Sequence, residues 1–168
     1  EKLIGEKVYR EVHRQMPTVQ DAWLEDQFLQ VFSGILSQTQ LGQPIGLVII
    51  KDPQINAFAV PGGLFALNTG LITSAKNLDE IAGVMAHEIA HVAQRHYSRS
   101  QEAFKGQGLL ALAGIIVGAA IASQADSDVG SAVMLGTQAA LMDKQLSYSR
   151  NQEREADRIG MQFMYSAG

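Results

Sequence analysis

The string His87-Glu88-Ile89-Ala90-His91 constrains this chain more than any other feature, because of the helix that must carry it. Asn77-Leu78-Asp79-Glu80 is a start signal: Asn77 can cap the first free amides, Glu80 can reach back from three residues on, and Asp79 suits the positive helix end. Counting on at about 100° per residue, Ala82, Met85, Ala86, Ile89 and Ala93 gather on one side. His87 and His91 fall on the opposite side, with Glu80 beside them and Glu88 about a quarter-turn round. Such a helix must bury its back in a core and turn two imidazoles and a carboxylate toward a cleft.

Histidines four apart lie one turn apart, so both rings can reach a single Zn²⁺ at about 2.0–2.1 Å. Glu88 sits off that axis, placed to hold a metal-bound water rather than to ligate. The plainer alternative is a pair of surface histidines beside a glutamate. A third histidine six residues past His91, preceded by a glycine three past it, would extend the site, but Gln94 and Tyr97 occupy those positions. His96 falls on the core side of a continuous helix and reads as a satisfied core histidine or a partner of a ligand.

The third ligand is sought in Asn151-Gln152-Glu153-Arg154-Glu155-Ala156-Asp157-Arg158-Ile159-Gly160. On a helix, Ala156, Ile159, Gly160, Phe163 and Met164 form the buried side, and Glu153 and Asp157 fall with them, whereas Glu155 falls among the solvated positions. A carboxylate facing a core is costly unless it binds something. Glu153 is therefore the expected third ligand, Asp157 the expected acceptor for the second ring nitrogen of a ligating histidine, and Glu155 a surface charge. The alternative is an acidic pair bridged to Arg154 or Arg158.

The remaining pattern frames this site. Apolar spacing predicts one helix up to Pro17 and another through Trp23–Leu36. Ile45–Ile50, Ile55–Val60 and Leu64–Leu67 then read as strands joined by Lys51-Asp52-Pro53-Gln54 and Pro61-Gly62-Gly63, a small antiparallel sheet. The fold class is α+β, a mostly helical zincin-like domain with the sheet beside the histidine helix. Residues 1–168 read as a single domain, with that helix over about 77–103, an apolar helical hairpin over about 107–143 and the third-ligand helix over about 151–166. With 13 basic and 17 acidic residues and no dense basic run, nucleic-acid binding is excluded. The absence of cysteine removes thiol catalysis, iron–sulfur clusters and thiolate zinc sites.

With HEIAHVAQRH, EREADRIG and INAFAVPGG in view, the sequence resembles the gluzincin zinc metallopeptidases of the HtpX and CAAX-prenyl-protease type, closest to their soluble periplasmic, β-barrel-assembly-enhancing branch. The resemblance runs from about Ile45 to the end. It implies a zinc metalloendopeptidase holding one Zn²⁺ per chain through His87, His91 and Glu153, with Glu88 as catalytic base and Asp157 behind the ligands. It also implies a bacterial periplasmic or envelope location, misfolded or stalled envelope proteins as substrates, and a helical-repeat region downstream of this chain. The competing reading is a metal-containing chaperone-like or adaptor domain with an occluded, latent site. Glu1-Lys2-Leu3, without Met or a signal-type stretch, reads as a processed or trimmed start, and the helical pattern at Tyr165–Gly168 leaves further chain to be expected.

Two further readings concern substrate and surface. The strand Ile55–Val60, with Asn56, Ala57 and Phe58, is a candidate platform for an extended peptide, or else a covered core strand. Tyr148, Arg154 and His96 are candidate oxyanion donors. Residues 109–122 are apolar throughout, but a helix of that length reaches about 21 Å, short of the roughly 30 Å hydrocarbon core. Packing of Gly114, Gly118 and Ala122 against Ala132, Gly136 and Ala140 is one reading. A peripheral membrane contact or a cleft cover with a moving tip at Ser123–Asp128 is the other.

Overall fold

The computed structural model describes residues 2–42, 46–60, 62–105 and 127–168. In chain order the elements are α1 (Lys2–Gln15), α2 (Ala22–Leu36), β1 (Gly46–Ile50), β2 (Ala57–Val60), β3 (Leu64–Asn68), α3 (Thr69–Ser74), α4 (Leu78–Ala93), α5 (His96–Ala103) and α6 (Ser127–Ala167). They form two units, Glu1–Tyr97 with Arg154–Gly168, and Ser98–Glu153.

The first unit is layered around the sheet. β3 is the central strand and is buried along its whole length. Its alternate residues feed two cores, as the period-2 geometry of a strand requires. Phe65 and Leu67, with Ile49 of β1 and Ala57 and Ala59 of β2, pack against Phe28, Phe32 and Ile35 of α2 and Ile81, Met85, Ala86 and Ile89 of α4. Leu64 and Ala66, with Val48, Ile50, Phe58 and Val60, pack against Val8 and Val12 of α1. α2 starts where Asp21 accepts the Trp23 and Leu24 amides at 3.0 and 3.1 Å.

The sheet is mixed, which corrects the expectation of an antiparallel one: β2 runs antiparallel to β3, but β1 runs parallel to it. The reason lies after β1. The Asp52 amide donates to the Thr69 hydroxyl, and the Asp52 carbonyl accepts from that hydroxyl and from the Gly70 amide. The chain is thereby pinned to the start of α3, so it cannot fold straight back on β1 and crosses to the far edge of β3 before β2 begins. β2 then returns through Gly62 and Gly63, whose φ angles of 103° and 90° suit only glycine. The outer edge of β1 is covered in part by residues 17–19, through Val19 N–H to Ile49 O and Lys51 N–H to Pro17 O. Among the described residues, β2 is the sheet's other edge.

Two helices differ from expectation. α4 ends at Ala93 rather than running on to about 103. Gln94 closes it and Arg95 adopts φ 54°, the left-handed region, so α5 starts in a new direction. The segment expected to form a helix over about 151–166 belongs to the much longer α6, which already includes Ser127 and Asp128. The apolar stretch 109–122, Ser123 and the other residues up to 126 lie outside the described residues. Among the described residues, no helix is long and apolar enough to cross a membrane. Within the second unit, the Phe104 ring meets Tyr148 edge-on at 5.2 Å, and the Ser100 hydroxyl donates to the buried Gln152 side chain at 3.0 Å.

Candidate metal centre

α4 is built as its sequence demands. Asn77 caps it by accepting the Glu80 amide at 3.0 Å, while Glu80 accepts the amide of Lys76, one residue beyond the expected partner. Ile81, Ala82, Met85, Ala86, Ile89 and Ala90 are buried, and His87, Glu88 and His91 are half-buried on the other side.

The Nε2 atoms of His87 and His91 lie 3.0 Å apart. One ligand atom from each of His87, His91 and Glu153 falls within 4.8 Å of the others. Glu153 immediately precedes Arg154 in α6. Bonds of about 2.0–2.1 Å in a tetrahedron place donors roughly 3.3 Å apart, so the imidazole pair, at 3.0 Å, fits a zinc-sized cation. Two imidazoles and a carboxylate suit a borderline divalent ion.

Behind the pair, each histidine's second nitrogen is engaged. His87 Nδ1 stands 2.9 Å from Asp157 Oδ1. His91 Nδ1 stands 2.9 Å from Nδ1 of His96, whose Nε2 in turn stands 3.3 Å from Glu155 Oε2. The Glu88 carboxylate accepts the Ala59 amide at 3.1 Å, tying α4 to β2.

Several expectations are corrected here. Glu155 is not a surface charge; it is half-buried against His96. Glu153 and Asp157 are exposed rather than core-facing, because the buried stripe of α6 runs through Gln152, Ala156 and Gly160 and leaves the two carboxylates at its margin. The depth of that stripe has a steric cause. A Cβ on Gly160 would stand 3.0 Å from the Ala86 carbonyl and the His87 nitrogen, so α6 lies against the α4 backbone where only hydrogen fits. His96 is both of the things expected of it, buried and in contact with a candidate ligand, but by a different route: the turn at Arg95, not a continuous helix, swings it back beneath His91. That turn contains neither glycine nor proline, so no residue pattern marks it.

The β2 candidates separate by strand geometry. The Asn56 carbonyl accepts from Asn68, so Asn56 and Phe58 pair inward with β3, while the backbones of Ala57 and Ala59 point outward. Ala57 is thus the one of the three named residues that offers an outward edge, and the Ala59 amide is the one held by Glu88. An open groove of about 620 Å³ lies nearby, with Ile55, Leu71, Ala75 and Val84 as apolar wall and His87 and Asp157 also lining it. Of the candidate oxyanion donors, His96 is held between His91 and Glu155, Arg154 is exposed, and Tyr148 meets Phe104 edge-on.

Comparison with known proteins gives one family. The family model of Peptidase family M48 matches residues 18–168. The chain is 34% identical, over its whole length, to a putative beta-barrel assembly-enhancing protease of Vibrio cholerae, of which it covers 35%. It is 31% identical, again over its whole length, to the beta-barrel assembly-enhancing protease of Escherichia coli K12, of which it covers 34%. Over 71% of the chain it is 32% identical to the mitochondrial metalloendopeptidase OMA1 of Bos taurus, covering 23% of that protein. The chain therefore spans about a third of the length of the bacterial relatives.

Proposed function

This chain belongs to peptidase family M48, and from that premise we propose that it is a gluzincin-type zinc endopeptidase with His87, His91 and Glu153 as ligands, Glu88 as catalytic base and Asp157 as the group that orients His87. The observation that carries the reading is the convergence of two Nε2 atoms 3.0 Å apart with a carboxylate within 4.8 Å, beside a glutamate held at a strand edge. The family match runs through both units, which supports one peptidase domain over 1–168.

Zinc, when bound, supplies a Lewis acid that polarises the scissile carbonyl and makes water acidic enough to attack near neutral pH. Glu88 takes the proton from the attacking water as the new C–O bond forms, and then delivers it to the amine as the C–N bond breaks. Its hydrogen bond from Ala59 holds the carboxylate toward β2. Asp157 accepts from His87 Nδ1, which leaves the His87 Nε2 lone pair for the metal. An extended peptide pairs with the outward backbone at Ala57, through main-chain hydrogen bonds that do not depend on its side chains. That indifference suits unfolded polypeptides. With the names of the bacterial relatives, it supports misfolded or stalled envelope proteins as substrates and a bacterial periplasmic or envelope location.

The test is metal analysis with cleavage of an unfolded protein such as casein, on wild type, Glu88→Gln and Glu153→Ala. Wild type should bind one zinc and cut casein, with cutting stopped by chelation. Glu88→Gln should keep zinc without cutting, and Glu153→Ala should lose zinc. A chain that binds zinc and never cuts would support the chaperone-like or adaptor reading instead.

A further inference from the structure

We propose that Glu155 and His96 are positioning residues that set the tautomer of His91 through a two-step hydrogen-bond relay and so present its Nε2 lone pair to the metal. This rests on the ligand assignment above and adds to it the cause of His91's binding-competent state.

The argument is one of donor and acceptor inventory. A neutral imidazole has one N–H and one lone pair, and a carboxylate can only accept. Glu155 Oε2, 3.3 Å from His96 Nε2, therefore requires the proton on that nitrogen. With His96 neutral, its Nδ1 is then a lone pair, and at 2.9 Å it is met by an N–H on His91 Nδ1. With its proton on Nδ1, neutral His91 keeps its lone pair on Nε2, which at 3.0 Å from His87 Nε2 calls for a proton or a cation between the two. Reversing the relay would aim the His96 Nε2 lone pair at a carboxylate and put hydrogen on the His91 nitrogen that should ligate.

Burial enforces the choice. His96 is 2% exposed, so solvent does not compete for its nitrogens. The rings of His91 and His96 meet at 83° with centroids 4.8 Å apart, which leaves their nitrogens edge to edge rather than stacked. The two ligands thus depend on carboxylates of the same helix in different ways. His87 is oriented directly by Asp157, whereas His91 is oriented by Glu155 at one remove. The left-handed turn at Arg95 is what makes the second arrangement possible, since it returns His96 to the underside of His91.

The experiment reads two quantities on the full chain: zinc affinity by chelator competition, and ring tautomers in the metal-free protein by long-range ¹H–¹⁵N correlation of histidine. The variants are Glu155→Ala, Glu155→Gln and His96→Phe, with His87→Ala and Glu153→Ala as ligand controls. Wild type should show His91 protonated on Nδ1 without any metal. Glu155→Ala should mix the His91 tautomers and weaken zinc binding by roughly 10–100-fold, the range found for partners behind ligands. Glu155→Gln keeps an acceptor oxygen in nearly the same volume and should restore part of both signals, which a purely structural role would not predict. If His96→Phe misfolds, the half-buried Glu155 pair of variants still decides. An unchanged His91 tautomer in Glu155→Ala, or unchanged zinc affinity there while His87→Ala and Glu153→Ala abolish binding, overturns the relay alone. Zinc retained by both ligand controls overturns the ligand assignment instead, and the ring spectra still report on the relay.

Discussion

Gly160→Ala tests whether the close approach of α6 to α4 sets the geometry of the metal centre. The added Cβ would stand 3.0 Å from the carbonyl carbon and oxygen of Ala86 and from the nitrogen of His87. Ordinary contacts of this kind begin near 3.4 Å, so α6 has to retreat by a few tenths of an ångström. The obstacle is helix backbone and cannot rotate away. Overpacking of this kind costs about 1–3 kcal/mol, and replacing glycine by alanine inside a helix returns about 1 kcal/mol, so a net loss of up to about 2 kcal/mol follows. Asp157 lies one turn back on the same helix, and its 2.9 Å contact with His87 Nδ1 lengthens with the retreat. Zinc affinity should therefore fall, by up to about tenfold if the contact is only stretched. Gly34→Ala is the matched control: it too is inside a helix, but nothing lies within 4 Å of the new Cβ, so it should gain up to about 1 kcal/mol with zinc affinity unchanged. The assays are urea unfolding of the metal-free proteins and zinc competition. If Gly160→Ala stabilises as much as Gly34→Ala and binds zinc as wild type does, the steric account of the helix spacing is wrong.

Other outcomes follow from the same geometry. Gly70→Ala would place Cβ 2.2 Å from the Pro53 carbonyl oxygen and should cost about 3 kcal/mol or more in denaturant unfolding. Asn77→Ala removes the cap on the Glu80 amide and should cost about 1 kcal/mol by the same measurement, with zinc content intact. Glu88→Gln should bind zinc normally while casein cleavage falls at least about 10²-fold, and residual cleavage near the wild-type rate would remove Glu88 from its role. Ala57→Pro removes an outward-facing amide that β3 does not use, so it should reduce peptide cleavage while zinc binding and folding persist; unchanged peptide kinetics would show that the β2 edge is not the platform.

The two parts of the metal centre differ in how far they were legible from residues alone. His87 and His91 lie on one short helix, where a fixed rotation per residue and a recognisable cap at Asn77 settle which side each occupies. Glu153 was reachable, but through a premise that fails: it was placed in a core, and it is exposed. The stripe of α6 does run through Ala156 and Gly160, but it stops short of Glu153 and Asp157, which helix counting alone sets inside it. The same misplacement turned Glu155 into a surface charge. The parallel pairing of β1 was also out of reach, since alternation marks a strand's two faces and carries nothing about the direction of its neighbour.

Residue pattern alone therefore determined the local half of this protein: a capped helix with two imidazoles and a glutamate on its open side, strands with alternating faces, and a donor set without thiolates. Tertiary structure alone decided which carboxylate meets which histidine, which strand edge stays open, and that His96 lies beneath His91. The division follows from distance along the chain. Interactions within one turn are fixed by backbone geometry that every helix shares, whereas the rotation and depth of α6 on α4 depend on how side chains far apart in sequence pack, down to the missing methyl at Gly160.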